Sequence, residues 1–186
     1  MKVEETNLQD ALLCSPQIFG DERGFFFESF NERLFTDAIG TEVSFVQDNH
    51  SKSQKNVLRG LHLQTRKPQG KLVRVISGAI FDVILDLRHS SPTYRQWFGV
   101  ALSADNKLQL WVPEGFAHGF LTMDEDTEVV YKATNFYDPE FEISIAWNEP
   151  EIGIEWPTDE TPALSDKDSK GMSANEAAAL LITNTF

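Results

Sequence analysis

Ten short stretches rich in β-branched and aromatic residues follow one another closely along the chain, and this spacing constrains the fold more than any other feature. They are GFFFESF (24–30), EVSFVQ (42–47), VLRGLHLQ (57–64), KLVRVIS (71–77), AIFDVILDL (79–87), QWFGVALS (96–103), LQLWVP (108–113), HGFLTM (118–123), EVVYKAT (128–134) and EISIAW (142–147). Gly, Pro, Asn and Asp lie between them. Such a pattern predicts an antiparallel β-sandwich or barrel, not alternating β and α units. Two helical pieces are expected at the periphery. NERLFTDAIG (31–40) closes on a glycine, and SANEAAALLI (173–182) opens with Ser173 and Glu176 spaced as a capping box. No repeat, low-complexity stretch or Pro/Gly/Ser-rich linker divides the chain. A single domain over 1–186 is therefore expected, with an N-terminal arm to about 50, a barrel core over about 51–150, and a C-terminal loop and helix from about 151.

Charge narrows the function. The 186 residues hold 16 Lys and Arg against 29 Asp and Glu, a formal net charge of −13. That field repels phosphate backbones and anionic lipid, so nucleic-acid and membrane-surface roles are not expected. With 14 Phe and 4 Trp the chain is no disordered acidic tail. The lone cysteine, Cys14, allows no internal disulfide, and the opening MKVEETNLQD has no apolar signal core, so a cytoplasmic setting is expected. Against this acidic background, no Asp or Glu occurs between Asp48 and Asp82, while 7 of the 16 basic residues do. A charge run is ordinarily a solvated face. The alternative is a local site for a small phosphorylated ligand.

Of the four histidines, His62 in RGLHLQ and His118 in P-x-G-x-x-H (113–118) lie in patterns that resemble the two signatures of the cupin barrel. The first signature normally supplies H-x-H and then Glu. Here it reads His62-Leu63-Gln64, with Gln69 near the acidic position. Residues two apart on a strand share a face, so His62 and Gln64 would point inward together. Neutral glutamines are poor metal ligands, and the resemblance therefore implies a cupin without a metal triad. A neutral imidazole fixed by a carboxylate is a general base near pH 7, which makes His62 a candidate base. Spacing does not name its carboxylate. Among the tyrosines, Tyr131 lies within a predicted strand and could be a catalytic acid or a packing residue. Trp156 and Leu164 look like apolar pegs for a polar loop that could carry Lys167 and Asp168 to a site.

The order of motifs resembles a known family over about 19–168. DERGFFFESF (21–30), FVQDNHS (45–51), LRGLHLQ (58–64), QGKLVRV (69–75), GFAHGF (115–120), YKAT (131–134) and LSDKD (164–168) are among ten collinear blocks similar to the dTDP-4-dehydrorhamnose 3,5-epimerases. The resemblance implies a cupin-type, jelly-roll isomerase of dTDP-L-rhamnose biosynthesis that inverts carbons 3 and 5 of dTDP-4-dehydro-6-deoxy-D-glucose. It implies His62 as proton acceptor, Asp168 as its carboxylate, Tyr131 as donor on the opposite face, and Lys71 near the 4-keto oxygen. Arg23, Phe26, Glu28, Gln47, Asn49, Arg59, His118, Glu142 and Lys167 would bind the nucleotide sugar, with Phe19 packing nearby. It further implies a homodimer in which the N-terminal strands, Arg23 and Glu28 included, serve the partner's site. Neither metal, nicotinamide nor flavin is required, because the ketone already acidifies both protons. The alternatives are a single-carbon epimerase, a sugar-nucleotide ketoisomerase, a metal cupin oxygenase, and a non-catalytic sugar-nucleotide binder.

Overall fold

The computed structural model describes residues 1–183; the end of the expected C-terminal segment, 184–186, lies outside the described residues. The strands are β1 (Lys2–Glu5), β2 (Leu12–Ser15), β3 (Phe19–Asp21), β4 (Gly24–Phe26), β5 (Gln47–Ser53), β6 (Leu58–Gln64) and β7 (Lys71–Ser77). They continue as β8 (Ala79–Asp86), β9 (Trp97–Ser103), β10 (Gln109–Val112), β11 (Phe116–Thr122), β12 (Thr127–Ala133) and β13 (Glu142–Ser144). Helix α1 (Glu32–Ile39) precedes β5, and a 3₁₀ turn at Asp168–Lys170 precedes α2 (Ala174–Thr183). Two antiparallel sheets result. One runs β1-β2-β10-β7-β12-β5 and the other β13-β6-β11-β8-β9, while β3 and β4 form a separate hairpin.

Alternation along each strand sorts the residues. Val73, Val75, Leu110 and Val129 of the first sheet meet Ile80, Ile84, Leu102 and Phe120 of the second in one apolar cluster. The outer face of the second sheet packs Leu61, Val83 and Leu85 against Ala174, Ala177 and Leu181 of α2. The outer face of the first sheet packs Leu72 and Trp111 against Phe35 of α1. This is the expected mainly β sandwich, with its helices on the outer faces.

Both expected helices form, with their caps. Asn31 Oδ1 accepts from the Leu34 N–H, and Gly40 closes α1 at φ 72°. Ser173 and Glu176 make the reciprocal bonds of a capping box, at 2.8 and 3.2 Å. The strands diverge from expectation in two places. EVSFVQ is not a strand over most of its length: its Phe45 packs edge-on against Trp111 in the α1 cluster. The strand is the polar QDNHSKS instead, paired with β12 so that Asn49 faces Tyr131 across the ladder. Of the expected GFFFESF run only Gly24–Phe26 is strand, and β1, β2 and β3 escape periodicity because each spans four residues or fewer.

Candidate active site

The apolar cluster fills only part of the space between the sheets. The remainder is a cavity of about 620 Å³, lined from both sheets and from the 163–168 loop. His62 and His118 enter it from neighbouring strands of the second sheet, where they are directly paired across the β6–β11 ladder. That pairing needs two close backbones. Gly60 has φ +101°, and a Cβ there would stand 2.6 Å from the His118 carbonyl oxygen, so only glycine fits. Lys71 of β7 and Tyr131 of β12 line the cavity from the first sheet, facing the histidines.

His62 Nε2 is 2.6 Å from Asp168 Oδ1. Asp168 is 4% exposed, and its other oxygen accepts from Ser165 Oγ at 2.8 Å. Burial alone would raise the Asp168 pKa, but the bonds from His62 and Ser165 outweigh it and hold the carboxyl below its usual value. The carboxylate therefore stays ionised and fixes the ring, leaving Nδ1 toward the cavity. Glu142 Oε1 is 3.7 Å from that nitrogen. The other Glu142 oxygen accepts from Tyr137 Oη at 2.7 Å and contacts Lys167 Nζ. Burial pushes Glu142 upward, yet Lys167 and Tyr137 win and its pKa is lowered.

His118 Nε2 bonds Asp82 Oδ1 at 2.7 Å, and both residues are buried. Asp82 Oδ2 has no hydrogen-bond partner among the described residues. On the opposite wall, burial lowers the Lys71 pKa to about 8, although Glu142 and Asp82 pull it back up. Lys71 Nζ lies 5.9 Å from the centre of the Tyr131 ring. Burial, with Glu142, raises the Tyr131 pKa, so its hydroxyl is protonated at neutral pH; Arg59 works in the opposite sense, favouring the phenolate. Arg59 Nε donates to Ser53 Oγ at 3.0 Å. The chemical content is thus an imidazole held by a carboxylate on one wall, and a phenol and an ammonium on the other.

The cavity gathers most of the residues singled out from sequence. Gln47, Asn49, Arg59, His118, Glu142 and Lys167 line it together with His62, Lys71, Tyr131 and Asp168. Arg23, Phe26 and Glu28 do not line it. Arg23 pairs with Asp21 in the β3–β4 hairpin, Phe26 is exposed there, and Glu28 accepts from Asn31 Nδ2 at 3.3 Å. Phe19 is likewise exposed in the hairpin. Trp156 is the expected peg, with its indole N–H on the Trp147 carbonyl at 2.8 Å and its ring against Phe81. Leu164 is not a peg; it lines the cavity, and the neighbouring Ala163 backbone ties the loop to Asn56 and Leu58. Gln64, at the lost metal-ligand position, spends its amide on the Lys67, Phe136 and Asp138 backbone. Among the described residues, no three His, Cys, Asp or Glu groups converge as a metal site.

Three contributors escaped the sequence reading. Asp82 had a usable signal: an acidic residue at an inward position of an apolar strand needs a buried partner. Ser165 had a local one, since the S-x-x-D spacing of LSDKD sets a hydroxyl against the carboxylate three residues on; Tyr137 had none, because it reaches Glu142 only through loop geometry.

Comparisons with known proteins give the chain its relatives. The sequence model of the dTDP-4-dehydrorhamnose 3,5-epimerase family matches residues 5–176. The dTDP-4-dehydrorhamnose 3,5-epimerase of Salmonella typhimurium is 57% identical over 178 residues, covering 95% of this chain and 97% of that relative. A crystal structure of the Legionella pneumophila dTDP-6-deoxy-D-glucose-3,5-epimerase, in complex with dTDP-4-keto-L-rhamnose, is 46% identical. It superposes with a TM-score of 0.94 over 97% of this chain and 96% of that one. A 3′-monoepimerase from Streptomyces bikiniensis, in complex with dTDP-quinovose, is 32% identical, with a TM-score of 0.88 over 94% of this chain and 89% of that one.

Proposed function

The chain belongs to the dTDP-4-dehydrorhamnose 3,5-epimerase family, and on that premise we propose how its residues act as an isomerase of a dTDP-linked 4-keto sugar. The substrate is dTDP-4-dehydro-6-deoxy-D-glucose, inverted at carbons 3 and 5 to dTDP-4-dehydro-L-rhamnose. The observation that carries the reading is the convergence of the His62–Asp168 pair with Tyr131 and Lys71 across one cavity. His62 Nδ1 removes the proton beside the ketone. Asp168, ionised and buried, holds the ring and stabilises the imidazolium. The electron pair moves onto the 4-oxygen, where the Lys71 ammonium meets the developing charge; such electrostatic help in a dry site is often the largest catalytic contribution. Tyr131 returns a proton on the other face, and Arg59 lowers the cost of the phenolate.

Arg59, Gln47, Asn49, His118, Glu142 and Lys167 bind the nucleotide sugar, arginine suiting the diphosphate. The active unit is a homodimer, with Arg23, Phe26 and Glu28 acting in the partner's cavity. Support for this is the hairpin itself: Phe19 and Phe26 are paired across its ladder and exposed, and Phe25 is exposed on its other face, apolar surface that calls for a cover. A cytoplasmic location follows from the same reading, and among the described residues no helix is long and apolar enough to cross a membrane. Inversion at one carbon is the second reading; 57% identity to a 3,5-epimerase against 32% to the 3′-monoepimerase favours inversion at both. Incubation with the 4-keto sugar nucleotide, followed by NMR of the product, tests the proposal. The expected product has the L-configuration at carbon 5 and is also inverted at carbon 3. Unchanged substrate would refute the reading.

A further inference from the structure

Inverting two carbons with one base creates a proton problem. In a 4-keto-6-deoxy-D-gluco ring the hydrogens on carbons 3 and 5 are axial on the same face, so a single imidazole must remove both. After the first inversion that imidazole holds the proton from carbon, and the opposite tyrosine has given one away. The second removal cannot begin until the imidazole has shed its proton and the phenolate has regained one. A sugar seated against His62 would stand between the imidazole and the water of the cavity.

Beside the Asp168–Ser165 pair that holds Nε2, a second polar route leads from the other ring nitrogen toward solvent. His62 Nε2 is committed to Asp168, so the incoming proton sits on Nδ1. Glu142 Oε1 lies 3.7 Å from that nitrogen and has no hydrogen bond of its own among those described. The other oxygen of the same carboxylate is held by Tyr137 and Lys167, both exposed at the cavity mouth. Glu142 thus spans from the base to solvent. Against burial, Lys167 and Tyr137 keep its pKa lowered, so a proton received there is passed on and not held. Tyr137 and Lys167 hold the carboxylate at the mouth, and the Gln47 side chain anchors the Tyr137 N–H at 2.9 Å.

We infer that Glu142 is the proton exit of the site, resetting His62 between the two inversions while the sugar stays bound. This rests on the epimerase reading above and adds to Glu142 a role beyond touching the sugar. In the step, the Glu142 side chain closes the 3.7 Å gap to hydrogen-bond distance, the N–H bond at His62 Nδ1 breaks and an O–H bond forms at Glu142 Oε1. The carboxyl then releases the proton to water at the mouth, and a proton from water restores Tyr131. For each carbon inverted, one proton leaves and one enters, so the carbon hydrogen is replaced by solvent hydrogen and no other reagent is consumed.

The test compares the wild-type protein, Glu142→Gln and Tyr137→Phe in deuterated water with the 4-keto sugar nucleotide. Imidazole is added as a small proton carrier at rising concentration, with pH and ionic strength fixed. Wild type is expected to label both carbons at a rate independent of imidazole. Glu142→Gln is expected to lose about 10²-fold in turnover, to release sugar inverted and labelled at one carbon, and to recover as imidazole rises. Tyr137→Phe keeps the carboxylate and removes one of its two holds, so it is expected to show a smaller deficit with weaker imidazole rescue than Glu142→Gln. A Glu142→Gln deficit that is the same at every imidazole concentration would overturn the assignment, as would equal rescue of Tyr137→Phe. Absence of label in the wild type would overturn the epimerase reading itself, whatever Glu142 does.

Discussion

Replacing Lys71 with methionine should stabilise the protein while disabling it. The ammonium is held at the cavity wall with a pKa of about 8 in place of 10.5, and burial is the main cause. A difference of about 2.5 units, at 1.36 kcal/mol per unit, makes the folded state carry a penalty of about 3 kcal/mol for holding the charge. Lys71 is partly exposed to the cavity, so this figure is a ceiling. Methionine fills a similar volume without the charge and removes the penalty. For a chain of this length, 3 kcal/mol corresponds to a melting-temperature rise of about 6–12 °C at most. The pH dependence has a definite sign. Below about pH 8 folded and unfolded chains both carry the ammonium, and the penalty is complete. Between about 8 and 10.5 the folded chain releases its proton first, so wild-type stability rises with pH and the advantage of Lys71→Met fades. Thermal unfolding of both proteins from pH 6 to 11, at one protein concentration because a dimer would make the midpoint concentration-dependent, reads this directly. Turnover should fall by about 10²–10³, the scale for losing a preorganised oxyanion donor. A variant that is less stable than wild type at neutral pH, or whose advantage does not shrink with rising pH, would refute the reasoning. Normal turnover would remove Lys71 from the mechanism.

Other perturbations report on the remaining groups. His62→Ala should lower kcat by about 10²–10⁴ with dTDP binding retained; near-normal turnover would exclude it as the base. Asp168→Asn keeps the shape but not the charge, and loss of a charge-assisted bond worth about 1.5–3 kcal/mol should cost about 10–10² in kcat/KM. Because the Asp168 pKa is lowered in the fold, its stabilising contribution is present above the usual aspartate pKa and lost as pH falls through the folded value. Acid unfolding of Asp168→Asn should therefore be shallower than that of wild type in this window, and identical curves would refute the coupling. Treatment with a strong chelator should leave turnover intact; loss restored by one divalent metal would revive a metal-dependent cupin chemistry.

The sequence carried the fold where side-chain alternation was strong. KLVRVIS is β7 without adjustment, because Val73 and Val75 point into the core on one face. QDNHSKS is just as regular a strand, but it is the polar edge of its sheet and half lines the cavity, so hydrophobic periodicity had nothing to detect. The basic window shows the same limit. Lys71 and Arg74 are three residues apart on β7, so they face opposite sides of the sheet, and only Lys71 reaches the cavity. Lys52 is paired with Asp126 on the surface and Arg66 lies over the Phe141 ring. Most of the window is ordinary solvated charge, and Arg59 with Lys71 is the part that faces the site. His62 was legible because its strand was. Its contact with Asp168 joins residues 106 apart, which no local pattern can supply. The family's block order supplied that pairing, and in the structure the two side chains lie 2.6 Å apart.

The central claim is that one base and one acid, on opposite walls, exchange carbon-bound hydrogen for solvent hydrogen beside the ketone. Its most direct measurement is the position of deuterium after one turnover in deuterated water, read by NMR. The mechanism predicts label at carbons 3 and 5, both inverted, and none elsewhere on the ring. Inversion without label, or label confined to other positions, would contradict it.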